Sequence, residues 1–142
     1  MVAQVPLATQ EELRYAAESA QHAFESWKHV SAPNRVRYML KYQAAIRDNI
    51  DELAKLVTLE NGKTLVDAHG DVFRGLEVVE FAASVPTVMM GETSGNLAKN
   101  LDTYSYREPL GVMAGITPFN FPSMIMNWCR SVFFTSLASR TG

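Results

Sequence analysis

Apolar residues recur at helical spacing through the N-terminal part of the chain and give way to alternation and then to a short apolar run further on. Thr9 stands three residues before Glu12, the capping-box spacing, and Leu13, Ala16, Ala17, Ala20, Phe24 and Trp27 follow as one stripe. This predicts a first helix. Ser31-Ala32-Pro33 predicts the start of a second, with proline near the first turn and Val36, Met39, Leu40 and Ile46 facing inward. Asp51 is expected to cap a third helix, with Leu53, Leu56 and Val57 inward and Asn61-Gly62 ending it. Thr64 and Asp67, again three apart, open a longer helix carrying Leu65, Ala68, Val72, Leu76, Val79 and Ala83, which Pro86 should kink or end. Gly70 and Gly75 weaken such a helix, so a close neighbour is expected at each. After Gly91 the pattern changes. Leu101 to Arg107 alternates, with Tyr104 and Tyr106 on one face, and predicts a half-exposed strand. Pro109-Leu110-Gly111 then turns the chain into Val112 to Ile116, an apolar run bounded by turn residues and predicted as a buried strand.

Behind that run comes Thr117-Pro118-Phe119-Asn120-Phe121-Pro122. Two prolines fix φ on either side of an aromatic-amide-aromatic triplet, and each pushes its predecessor out of the α region. A stiff loop at the carboxyl end of a buried strand is where α/β proteins place ligands. Asn120 is the residue there able to aim two amide donors at a substrate. A rigid turn whose Asn bonds its own backbone fits the same residues. The element order predicts an α/β chain: helices, an exposed strand, then one strand-loop-helix unit, together an incomplete domain.

Composition narrows the function classes. The 142 residues carry a net charge of −2, which gives no electrostatic reason to expect nucleic acid or an anionic membrane as partner. No apolar run approaches the roughly 20 residues a bilayer needs. The single cysteine, Cys129, excludes an internal disulfide, and no base is placed to make it a nucleophile. His22 and His29 have no carboxylate or cysteine at ligand spacing and are expected at the surface. Arg35, Arg37, Lys41 and Arg47 read as a solvated basic face, and Glu60, Asp67, Asp71, Glu77 and Glu80 as a solvated acidic one. There is no glycine-rich phosphate loop, and the first residues read neither as the charged-then-apolar pattern of a secretion signal nor as an arginine-rich presequence.

From Val5 to Met126 the sequence resembles the aldehyde dehydrogenase superfamily, and within it the CoA-acylating methylmalonate-semialdehyde branch. Leu59-Glu60-Asn61-Gly62-Lys63-Thr64, Gly70-Asp71-Val72-Phe73-Arg74-Gly75-Leu76 and Met89-Met90-Gly91-Glu92 carry the likeness. Tyr104-Ser105-Tyr106-Arg107, Pro109-Leu110-Gly111-Val112 and Gly115 through Pro122 complete it. The resemblance implies that Asn120 donates to the oxyanion formed when a cysteine attacks an aldehyde, and that Thr117, Pro118 and Phe119 line an NAD site. It implies oxidation of methylmalonate or malonate semialdehyde through a cysteine thioester, with CoA as co-substrate and propionyl-CoA or acetyl-CoA as product. A homo-oligomer, usually a tetramer, is implied, in the mitochondrial matrix for a eukaryotic source and otherwise in the cytoplasm.

Family members are several times longer, and the nucleophile belongs to their later part. Residues 1–126 are therefore expected to form a partial dehydrogenase domain, inactive alone, and 127–142 a divergent tail produced by a frame shift or mis-joined exon. The alternative is a noncatalytic product that associates with full-length subunits. Without its strand neighbours the isolated chain is expected to be marginal, to expose apolar surface and to aggregate.

Overall fold

The computed structural model describes residues 4–135 and 137–141. Four helices come first: α1 Gln10–Trp27, α2 Ala32–Asp48, α3 Ile50–Asn61 and α4 Leu65–Ala82. A single turn, α5 Val85–Val88, leads into strands β1 Thr93–Ala98 and β2 Leu101–Pro109, then α6 Met124–Thr135 and β3 Leu137–Thr141. The strands form an antiparallel sheet in the order β1-β2-β3.

Local signals set most helix ends. Thr9 and Glu12 form the full capping box, the Thr9 N–H donating to Glu12 Oε2 at 2.7 Å and the Glu12 N–H to Thr9 Oγ1 at 3.2 Å. Thr64 accepts from the Asp67 N–H at 3.2 Å, while its hydroxyl donates to the shorter Asp67 carboxylate at 2.7 Å. Gly62 ends α3 at φ +82°, the left-handed conformation glycine adopts without strain. Asp51 does not cap α3. The helix begins one residue earlier behind Asn49, whose amide instead donates to the Ala45 carbonyl at 2.8 Å, so α2 and α3 are broken by a single residue.

Helix α4 is the centre of the packing, with α2, α3 and α6 against it. Met39 and Ile46 of α2, Ala54 and Val57 of α3, and Ala68, Val72, Leu76, Val79 and Ala82 of α4 make the core. Leu40, Leu56 and Leu65 were expected inside and are exposed, because the elements packed on α4 cover only one arc of each helix. The α1 stripe is likewise uncovered. Leu13 is exposed and Phe24 and Trp27 are half-buried, the latter edge-on to Tyr38 with ring centroids 5.5 Å apart. Of the two helical glycines only Gly75 is approached: a Cβ there would stand 2.7 Å from Asn127 Nδ2 and 3.3 Å from the Met124 Cα, whereas nothing lies within 4 Å at Gly70.

The predicted strand over Leu101 to Arg107 is present in β2, with Tyr104 and Tyr106 on its exposed face and Thr103 and Ser105 half-buried. Its partner β1 has no alternating pattern and was not anticipated. A register shift between Ser94 and Ala98, with Asn96 and Asn100 at positive φ, replaces the usual alternation. Gly91 starts the hairpin where a Cβ would lie 1.9 Å from the Ser105 carbonyl oxygen.

Val112 to Ile116 is not a strand. The stretch pairs with no strand among the described residues, and Val112, Met113 and Ile116 are exposed. A buried parallel strand needs ladder partners on its edges and covering helices on its faces, and these residues have neither. Helix α6 runs on through residues 126 and 127 without a break, burying Asn127 and Ser131.

Candidate active-site loop

The loop that follows Ile116 owes its shape to the turn between α3 and α4. Asn61, the last residue of α3, donates its side-chain amide to the Phe119 carbonyl at 2.7 Å. Two residues on, Lys63 Nζ stands 3.9 Å from the centroid of the Phe121 ring, a cation–π contact. The same ammonium lies 3.7 Å from Asp71 Oδ2. That separation makes an ion pair rather than a hydrogen bond.

Asp71 is 2% exposed. Its Oδ1 accepts the Met124 N–H, the first of α6, at 2.8 Å. A carboxylate at a helix N-terminus meets both an orphan amide and the positive end of the helix dipole. The expected acidic face therefore holds for Glu60, Asp67, Glu77 and Glu80, which are exposed, and fails for Asp71. The failure was legible. Asp71 lies three residues after Ala68 and four before Gly75, inside the buried stripe of α4. Arg35 also departs from its expected solvated face: it is half-buried, its guanidinium 3.6 Å from Met89 Sδ, and burial pulls its pKa below the ordinary value.

Lys63, Val66, Asp67, Gly70, Asp71, Arg74, Asn120 and Phe121 enclose a cleft of about 510 Å³. Its two carboxylates are occupied, Asp67 by the Thr64 hydroxyl and Asp71 by Met124 and Lys63. Among the described residues, Arg74 makes no ion pair or hydrogen bond, and neither does the Asn120 side chain. The cleft thus offers a neutral pair of amide donors and a guanidinium. Asn120 does not bond its own backbone. Thr117 is half-buried and Pro118 and Phe119 are exposed, leaving that edge of the loop open. Sequence reasoning reached Asn120 from its two flanking prolines, read Asn61 as part of a helix end and gave Lys63 and Arg74 no role of their own. No local pattern marks the contacts of Asn61 and Lys63, whose partners lie far along the chain.

Among the described residues no helix is long and apolar enough to cross a membrane, and no group of three His, Cys, Asp or Glu side chains is set to hold a metal ion. Cys129 is half-buried on α6 and does not line the cleft.

The sequence model of the aldehyde dehydrogenase family matches residues 1–132. The human methylmalonate-semialdehyde/malonate-semialdehyde dehydrogenase, acylating and mitochondrial, is 54% identical over 128 residues, which cover 90% of this chain and 24% of the human one. A malonate-semialdehyde dehydrogenase of Bacillus cereus is 48% identical over 99% of this chain and 30% of its own. Among solved structures, a Sinorhizobium meliloti protein described as a methylmalonate-semialdehyde dehydrogenase and complexed with NAD superposes with a TM-score of 0.81 at 42% identity, covering 87% of this chain and 25% of that one. The methylmalonate-semialdehyde dehydrogenase of Oceanimonas doudoroffii gives 0.86 at 36%, covering 93% and 27%. The chain spans 24–30% of the length of these relatives.

Proposed function

This chain belongs to the aldehyde dehydrogenase family, and on that premise we propose that it supplies the N-terminal part of an NAD-dependent, CoA-acylating dehydrogenase of malonate or methylmalonate semialdehyde. The observation that carries the reading is the meeting of Asn120 and Arg74 in one cleft. The Asn120 amide is unspent and held on a stiff loop. It would donate to the aldehyde oxygen as negative charge develops there, and a preorganised donor at that point often contributes more to catalysis than any other single interaction. Arg74 suits the other end of the same substrate. A semialdehyde acid carries a carboxylate, and a guanidinium without a competing partner binds one in a two-pronged fashion.

Thr117, Pro118 and Phe119 present an open edge against which a nucleotide would lie, and NAD bound there would accept the hydride. The cysteine that attacks the aldehyde, the CoA site and the subunit contacts of a tetramer belong to the longer protein this reading implies. For a eukaryotic source, the mitochondrial relatives point to the matrix. A divergent stretch from Asn127 onward stays within the proposal, its first residues continuing α6.

The test is a chimera in which this chain replaces the matching segment of the Bacillus cereus enzyme. It should form NADH from malonate semialdehyde in a CoA-dependent reaction. Asn120→Ala should lower kcat by about 10² to 10³, and Arg74→Gln should act chiefly on KM. A folded, active chimera indifferent to Asn120→Ala would overturn the assignment.

A further inference from the structure

Asn120 has no hydrogen bond of its own to fix it among the described residues, and no strand ladder runs up to it from Ile116. Both of its neighbours, however, are held. The Phe119 carbonyl accepts from Asn61 at 2.7 Å, and the Phe121 ring lies under the Lys63 ammonium at 3.9 Å. The two holding residues are themselves two apart, on either side of Gly62, whose φ of +82° turns the chain so that both side chains reach the loop. We propose that Asn61 and Lys63 form a two-point clamp that positions Asn120, with Asp71 as its anchor. The proposal rests on the reading of Asn120 as the oxyanion donor.

The division of labour follows from chemistry. An amide-to-carbonyl hydrogen bond is directional and fixes the peptide plane entering Asn120. A cation over a ring fixes distance more than angle and holds the residue leaving it. Lys63 has a flexible four-carbon stem and would wander without a counter-charge. Asp71 supplies that charge from α4 and, through the Met124 amide, fixes the start of α6 behind the loop. Loop, turn and two helices are thereby joined around one residue whose own side chain makes no hydrogen bond among the described residues.

Crystal structures of the chimera and its variants test this by geometry and without any turnover. The Asn120 side chain should hold a single orientation with displacement parameters near those of its surroundings. Asn61→Ala and Lys63→Met should each spread it over several orientations, while α2 and α3 from Met39 to Val57 keep their order. Lys63→Arg, which keeps the cation and the ring contact, should restore it. Asp71→Asn should loosen Asn120 and also shift the Met124 end of α6. An unchanged Asn120 in both single variants overturns the clamp. So does a loss of order that spreads equally through Met39 to Val57, since the residues would then serve stability alone. Because the readout is order and not turnover, it stands apart from the chimera test of Asn120: a clamp without catalysis and catalysis without a clamp give different results.

Discussion

Asp71 on α4 accepts the first amide of α6, that of Met124, across 53 residues of chain and in a site where the carboxylate is shielded from solvent. One buried oxygen thus caps a helix that does not contain it, and the other faces Lys63. Removing a single member of a buried charge pair costs more than the pair contributes, because the survivor is left uncompensated. Asp71→Ala should destabilise the chain by on the order of 3 kcal/mol. Asp71→Asn, which keeps an acceptor for Met124 but not the charge, should cost less. Urea unfolding of the three proteins orders them; equal midpoints would refute the account.

The two glycines of α4 should respond with opposite signs. At Gly70 an added methyl meets nothing within 4 Å. Gly70→Ala should therefore stabilise the helix by about 0.5–1 kcal/mol. At Gly75 the same methyl would press on Asn127, whose side chain is tied to the Tyr42 hydroxyl at 2.5 Å, and on the backbone of α6. Gly75→Ala should lower stability by about 1–3 kcal/mol, the usual range for overpacking. Thermal melts of both variants give the signs directly.

Acid should loosen the start of α1 before the core. Hydrogen bonds from the Thr9 N–H and then its hydroxyl hold the Glu12 carboxyl below its ordinary value of 4.5. A group with a depressed folded pKa stabilises above its unfolded value and loses that contribution as pH falls through the folded one. Amide exchange at Glu12 and Leu13, corrected for the intrinsic pH dependence, should accelerate below that value. In Glu12→Gln the acceleration should disappear.

The uncovered faces carry a solution prediction. Leu13, Leu40, Leu56, Phe81 and Ile116 are all exposed, and α1 leaves its apolar stripe open from Leu13 to Ala20. Contiguous apolar surface of this kind drives association. The chain alone should bind a hydrophobic dye and sediment as concentration-dependent oligomers. A dye-silent monomer across micromolar concentrations would contradict this.

The sequence by itself determined what is decided within a turn or two of chain. Thr9 with Glu12, Thr64 with Asp67 and the left-handed Gly62 mark their helix ends because every partner lies within four residues. The stripe of α4 and the alternation of β2 are legible for the same reason, as is the stiffness that two prolines impose around Asn120. What only the tertiary structure decided is which surfaces meet. It turned Asp71 from an expected surface acid into a buried cap, separated Gly75 from Gly70, and left Leu40 and Leu56 outside the core. It also denied Val112 to Ile116 the ladder its composition prepares it for, since a strand exists only where neighbouring strands supply its hydrogen bonds. Asn61 and Lys63 belong to this second class. Their spacing says only that a helix ends there, and their contacts with Phe119 and Phe121 arise because the packing of α6 on α4 brings the loop over that helix end.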